Sequence, residues 1–225
     1  MKILIFTPLW QRPEIVREWV RSLKRLPKHE LLVVLSPEDP YYDELIDILP
    51  PCWKVECENK PFGRKKNAGI DGARQLKWDY LMELNSDSIV NPDIFDLYLP
   101  LMKKRVPFFG LKNLFVVDYK TRKSLSIPDY NPGMTFGSGR MIHRDALILE
   151  KLWVDELNEG MDTNMILRLR KAGIKETVLD NGETPMIIDL KTNTSIWHFM
   201  LLETRGFEIP YSYLTEHIGY DFISA

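Results

Sequence analysis

Between Lys2 and Leu84, short apolar runs of strand character alternate with stretches of helical periodicity, and this alternation restricts the possible folds more than any other feature. Lys2 to Thr7 predicts a strand. Pro13 then opens a helix whose Ile15, Val16, Trp19, Val20 and Leu23 recur on one face. Glu30 to Ser36 predicts a second strand, Tyr41 to Ile48 a short helix, Trp53 to Cys57 a third strand, Arg64 to Leu76 a third helix and Asp79 to Leu84 a fourth strand. Strands separated by helices call for a mainly parallel sheet covered on both faces. The fourth strand drops into Asn85-Ser86-Asp87-Ser88, after which Asn91 and Pro92 read as the N-cap and first residue of a further helix. In open α/β sheets, ligands bind beyond the carboxyl ends of the strands, which places Asp87 at a crevice; the alternative is an aspartate chosen only for its turn propensity.

The pattern changes after this turn. Phe108 to Val117 and Lys123 to Ile127 predict an antiparallel hairpin, and Pro128 to Gly139 is a loop rich in Pro, Gly and Asn. After Arg140 to His143 and a short helix from Asp145, Glu156 to Asp162 leads into a helix with Met165, Ile166 and Leu169 on one face and Gly173 as its stop. Met186 to Leu190 and Thr194 to Phe199 predict late strands. The aromatic tail from Leu201, with Phe207, Tyr211, Tyr213, Tyr220 and Phe222, is expected to pack back on the fold rather than to form a lid over an acceptor. The expectation is one domain over 1–225, with a first half to residue 104, a second from 105 to 199 and the tail from 200 to 225.

Composition removes several classes of function. At 225 residues, 44% hydrophobic and 28% charged, the chain can bury a proper core. No apolar run is long enough to span a bilayer, and Met1 to Pro8 is too soon interrupted for a signal peptide, so a cytoplasmic protein is expected. A net charge of −2 exerts no global pull toward nucleic acid or membranes. Cys52 and Cys57, with no second pair, do not make a zinc site and are expected to be reduced thiols.

Four stretches stand in an order that resembles the GT-A nucleotide-sugar glycosyltransferases, especially the inverting family two. They are the opening strand running into Thr7-Pro8-Leu9-Trp10-Gln11-Arg12-Pro13; Gly63-Arg64-Lys65-Lys66-Asn67-Ala68-Gly69, similar to the family's basic-Asn-x-Gly helix start; Asn85-Ser86-Asp87, in the place of its Asp-x-Asp motif; and Gly160-Met161-Asp162 followed by Arg168-Leu169-Arg170-Lys171-Ala172-Gly173, like its acidic pair and subsequent helix. The likeness covers roughly Lys2 to Phe199. It departs at Asn85, where the family usually has an aspartate, and at Leu35-Ser36-Pro37-Glu38-Asp39, where an aspartate pair usually meets the nucleobase.

The resemblance implies a Rossmann-like GT-A fold, α/β with a smaller antiparallel region. It also implies a metal-dependent transfer of a sugar from a nucleotide-diphosphate donor, UDP-sugar favoured, to an acceptor hydroxyl with inversion. Asp87 and His198 would hold Mn²⁺ or Mg²⁺, hard or borderline cations that suit carboxylate and phosphate oxygens. His198 also reads as an ordinary histidine on a half-buried strand. Asp162 would be the general base, with Glu159 as substitute, unless Asp162 only caps its helix. Donor binding would fall to Thr7, Pro8, Arg12, Asn85 and Ser86, with Ser36 or Glu38 at the nucleobase. Arg64, Lys66 and Asn67 would meet the diphosphate at a helix start, or else form a solvated basic face. Gly137 and Ser138 would let backbone approach the sugar, or simply turn the chain. Glycans, small molecules and hydroxymethylated DNA bases are all conceivable acceptors. A sugar nucleotidyltransferase is disfavoured, because the loop after the first strand lacks glycine. A binding protein that has lost catalysis is the other alternative, and Asn85 is its best support.

Overall fold

The structure, a computed structural model, describes residues 1–193, 195 and 199–223. Its first half follows the predicted alternation: β1 (Ile3–Pro8), α1 (Pro13–Leu23), β2 (Glu30–Leu35), α2 (Tyr42–Ile48), β3 (Trp53–Glu56), α3 (Phe62–Arg74) and β4 (Tyr80–Glu83). Residues 3–8 of β1 are all buried, as a central parallel strand demands. Its side chains alternate in destination. Leu4 and Phe6 pack with α3 residues Ile70 and Ala73, whereas Ile3 and Ile5 pack with Val16, Trp19 and Val20 of α1. Pro13 occupies the first turn of α1, where its missing N–H costs nothing.

The second half contains β5 (Ser88–Val90), α4 (Ile94–Lys103), β6 (Phe108–Leu111), β7 (Leu114–Asp118), β8 (Ser124–Ile127), β9 (Arg140–His143), α5 (Met161–Lys171), β10 (Glu176–Leu179), β11 (Ile187–Lys191), α6 (Phe199–Leu202), β12 (Phe207–Ile209) and α7 (Tyr211–Ile218). A seven-stranded sheet has the order β10-β6-β9-β4-β1-β2-β3, and a five-stranded sheet the order β12-β8-β7-β11-β5. In the larger sheet β4, β1, β2 and β3 run parallel, while β9 lies antiparallel between β4 and β6. In the smaller one β7 and β8 form the predicted antiparallel hairpin. The architecture is a mixed α/β fold with a mainly parallel central sheet, helices on both faces and an antiparallel region.

Four expectations change. The run 108–117 is two strands in different sheets, β6 and β7, because the chain leaves one sheet at Leu111 and joins the other at Leu114. Residues 88–90 are not merely turn but the edge strand β5, paired with β11. Asn91 does not cap α4; its side-chain oxygen accepts from the Asp93 amide (3.0 Å), closing a turn one step before the helix. Of the strand expected at Thr194 to Phe199, residues 194 and 196–198 lie outside the described residues, and Phe199 opens α6.

The tail packs on the smaller sheet. Leu214, Ile218, Phe222 and Ile223 are buried with Phe115, Ile188 and Leu190, and with Ile15 of α1. No helix among the described residues is long and apolar enough to cross a membrane.

Candidate functional site

Parallel pairing of β1 with β4 sets Phe6 beside Glu83, so the segments leaving both strands emerge at one end of the sheet. Together with β11 and the start of α5 they enclose a cavity of about 700 Å³. The Asn85-Ser86-Asp87 turn forms part of its wall. That turn is held by backbone: the Asn85 amide donates to the Ser138 hydroxyl (3.1 Å), and the Leu190 amide of β11 donates to the Asp87 carbonyl (2.7 Å). Asp87 is buried and lies against two cations, Arg12 at 3.2 Å and Lys191 at 4.0 Å. Burial opposes its ionisation, but Lys191 and Arg12 outweigh burial and hold the carboxyl below its usual range. Lys191 also pairs with Asp189 (3.0 Å), which accepts from Ser88 (2.6 Å). Burial works against the Lys191 charge, and Asp189 and Asp87 more than offset it.

A second charged chain runs behind the opposite wall. Antiparallel β4 and β9 place Glu83 directly across from Arg140, both fully buried. Glu83 pairs with Lys66 of α3 and lies 3.8 Å from Arg140, which in turn binds Asp162 at 3.0 Å. Thr135 takes the remaining Arg140 donors through its hydroxyl (2.9 Å) and carbonyl (2.8 Å). The Lys66 ammonium also sits 4.4 Å from the Trp153 ring centroid. Asp162 occupies the first turn of α5 yet makes no capping hydrogen bond; Gly160, with a φ of 65°, begins that helix. The capping alternative therefore fails, and the carboxylate faces the cavity from its Arg140 anchor. Burial would raise the Asp162 pKa, but Arg140 and then Lys66 carry it below the ordinary carboxylate range.

Of the residues singled out from sequence, Pro8, Arg12, Lys66, Asn85, Ser86, Asp87, Glu159 and Asp162 line this one cavity. Others do not reach it. Thr7 is buried within β1, and Arg64 points to solvent from α3. The Ser36 hydroxyl accepts from Lys65 (2.7 Å), and the Glu38 carboxylate accepts from the Asn59 amide (2.6 Å). Asn67 is committed to Trp153 and Asp155, tying α3 to the segment before α5. Ser138 serves the turn from behind, and Gly137 packs against Asp162 itself. His198 lies outside the described residues. Missed from sequence were Lys191, Asp189, Glu83, Arg140, Trp10 and Asn59. Glu83 and Arg140 each sit in an apolar strand, where an ionisable residue is itself a signal, but their pairing depends on register.

As a cation site, the cavity offers Asp87, an ionised oxygen donor that faces it, with the Asn85 and Ser86 side chains beside it. Among the described residues no group of three or more His, Cys, Asp or Glu comes together, so an ion here would rely on Asp87, on donor phosphates and on His198. A single hard carboxylate beside a phosphate-sized cavity fits Mn²⁺ or Mg²⁺ to that extent.

No protein-family model matches the chain, and no curated protein matches it. Solved structures do. The chain is similar to S. aureus TarS 1–349 in complex with UDP-GlcNAc, with a TM-score of 0.61 and 12% identity over 87% of this chain and 60% of that one. In complex with UDP, TarS 1–349 gives 0.60 and 14% over 85% and 61%. A 4-diphosphocytidyl-2C-methyl-D-erythritol synthase gives 0.55 and 12% over 86% of this chain and 95% of that one. The chain thus spans about 60% of the length of the TarS 1–349 structures. These likenesses establish a GT-A-like nucleotide-sugar transferase fold.

Proposed function

We propose that this GT-A-like chain transfers a sugar from a nucleotide-diphosphate donor, UDP-sugar favoured, to an acceptor hydroxyl with inversion. One observation carries the reading: a single cavity presents a cationic group around Asp87 and, from α5, an ionised carboxylate with no capping duty. Breaking a glycosidic bond to a diphosphate builds negative charge on the leaving group while the sugar becomes oxocarbenium-like. Arg12 and Lys191 are positioned to meet that charge, and Lys66 lines the same cavity. Asp162 accepts the proton of the attacking hydroxyl. Its depressed pKa limits its strength as a base, but keeps it ionised throughout the neutral range. Glu159, exposed on the same wall, is the substitute. When bound, Mn²⁺ or Mg²⁺ would supply Lewis-acid neutralisation of the diphosphate, with Asp87 and His198 as the residues to hold it.

The acceptor class is to be found by screening glycans, small hydroxylated metabolites and hydroxymethylated DNA. The testing experiment incubates the protein with UDP-sugars, Mn²⁺ and each acceptor, and follows the release of UDP and the anomeric configuration of the product. Acceptor-dependent UDP release with an inverted product, lost in Asp162→Asn, is the expected result. Donor binding without turnover under every acceptor would instead identify a binding protein. Release of inorganic pyrophosphate from a nucleoside triphosphate would identify a nucleotidyltransferase.

A further inference from the structure

Away from the charged walls, the cavity is bounded by Trp10, Gln11 and Asn59, with Lys65 behind them. Lys65 is fully buried, and its ammonium has no carboxylate in direct contact. It donates instead to the Leu9 carbonyl, to the Ser36 hydroxyl (2.7 Å) and to the Asn59 side-chain oxygen (3.0 Å). Burial lowers its pKa to about 8, with Asp39 and Glu38 opposing the fall, so it stays charged at neutral pH. A charged ammonium has three donors and no acceptor. Only the oxygen of the Asn59 amide can face it, and the orientation of that amide is thereby fixed. Glu38 secures the same residue from its backbone, accepting from the Asn59 N–H at 2.6 Å. The Asn59 NH₂ consequently has no partner among the described residues, and its side chain lines the cavity. Beside it, the Trp10 ring centroid lies 5.6 Å from the Lys65 ammonium.

Resting on the reading of this cavity as a nucleotide-sugar site, we propose that Asn59, oriented by Lys65, selects a nucleobase with a ring carbonyl at its edge, as in uracil, stacked against Trp10. The chemistry is specific in one direction. An outward NH₂ donates to the carbonyl oxygen of uracil but finds no such acceptor on adenine, whose exocyclic group is itself a donor. An aromatic face suits any base and supplies affinity rather than choice. Trp10 stands two residues before Arg12, so base and diphosphate contacts come from one short loop, as parts of one ligand require. Ser36 and Glu38, at the position where the sequence led us to expect base contacts, act one step behind: each braces the Lys65–Asn59 pair.

The test measures dissociation constants of UDP and ADP by calorimetry on the full chain and on Asn59→Ala, Asn59→Asp and Trp10→Ala. Each variant is checked for an unchanged melting temperature without ligand. Losing a neutral hydrogen bond weakens binding by roughly threefold to tenfold. We expect UDP to bind more tightly than ADP in the parent, and Asn59→Ala to weaken UDP by about that factor while leaving ADP nearly unchanged. Asn59→Asp, which turns the donor into an acceptor, should weaken UDP further, and Trp10→Ala should weaken both nucleotides alike. Equal UDP:ADP ratios in the parent and in Asn59→Ala would overturn the assignment while leaving the nucleotide-sugar reading intact. If neither nucleotide binds the parent, both fall. If Asn59→Ala leaves UDP unchanged and weakens a saccharide acceptor, the subsite belongs to the acceptor and the proposal is refuted.

Discussion

Asp162 carries its argument in three contacts: Arg140 at 3.0 Å, the open cavity, and Gly137 behind it. Because the folded-state pKa is depressed, the group contributes stability above the ordinary carboxylate range, and this is lost as pH falls through the depressed value. The acid limb of the rate profile is therefore expected below about pH 4, the usual carboxylate value. Asp162→Asn should lower kcat by about a hundredfold or more and remove that limb, with UDP affinity little changed; rate–pH profiles of the two proteins check this. A Cβ at position 137 would lie 2.6 Å from one Asp162 oxygen. Gly137→Ala is thus expected to push the carboxylate off Arg140, reducing kcat several-fold with only a small fall in melting temperature, since a flexible side-chain end gives way. Glu83→Gln removes the buried negative charge facing both Lys66 and Arg140, leaving two cations under-compensated. About 3–5 kcal/mol of stability should be lost, measurable by urea unfolding.

Among the elements, α3 approaches β1 and β2 most closely at Gly69, where an added Cβ would overlap the Phe6 ring and lie 2.7 Å from a Val34 methyl. Gly69→Ala should cost about 1–3 kcal/mol, read as a lower urea midpoint with an unchanged slope. The elements themselves were largely legible: apolar runs and helical spacing locate β1 through β4 because each is buried on a predictable face. Edge strand β5 was not, being three residues long and next to a polar turn. Nor was the break between β6 and β7, since residues 108–117 remain apolar while changing sheets. The site divides in the same way. Asp87, Arg12, Lys66 and Asp162 follow strands or open helices, positions that local pattern identifies. Lys191 and Arg140 enter through the β11–β5 and β4–β9 registers, which no local pattern encodes.

At the scale of the whole molecule, two charge networks share one cavity: Asp87, Lys191 and Asp189 on the smaller sheet's side, and Glu83, Lys66, Arg140 and Asp162 on the larger sheet's side. The tail braces this arrangement at a distance. Arg25 and Arg21 of the α1 region stack over Tyr220 and donate to the carbonyls of Ile218 and Asp221, while Phe222 fills the core beneath β7 and β11. Arg25→Met should therefore lower the melting temperature while leaving UDP affinity in place. The account turns on where the donor's pyrophosphate lies, and a crystal structure of the complex with UDP and Mn²⁺ measures that directly. The pyrophosphate is predicted within hydrogen-bonding reach of Arg12 and Lys191, beside Asp87, with Asp162 across the cavity. Pyrophosphate bound away from Asp87, with Arg12 and Lys191 still paired only to their carboxylates, would contradict it.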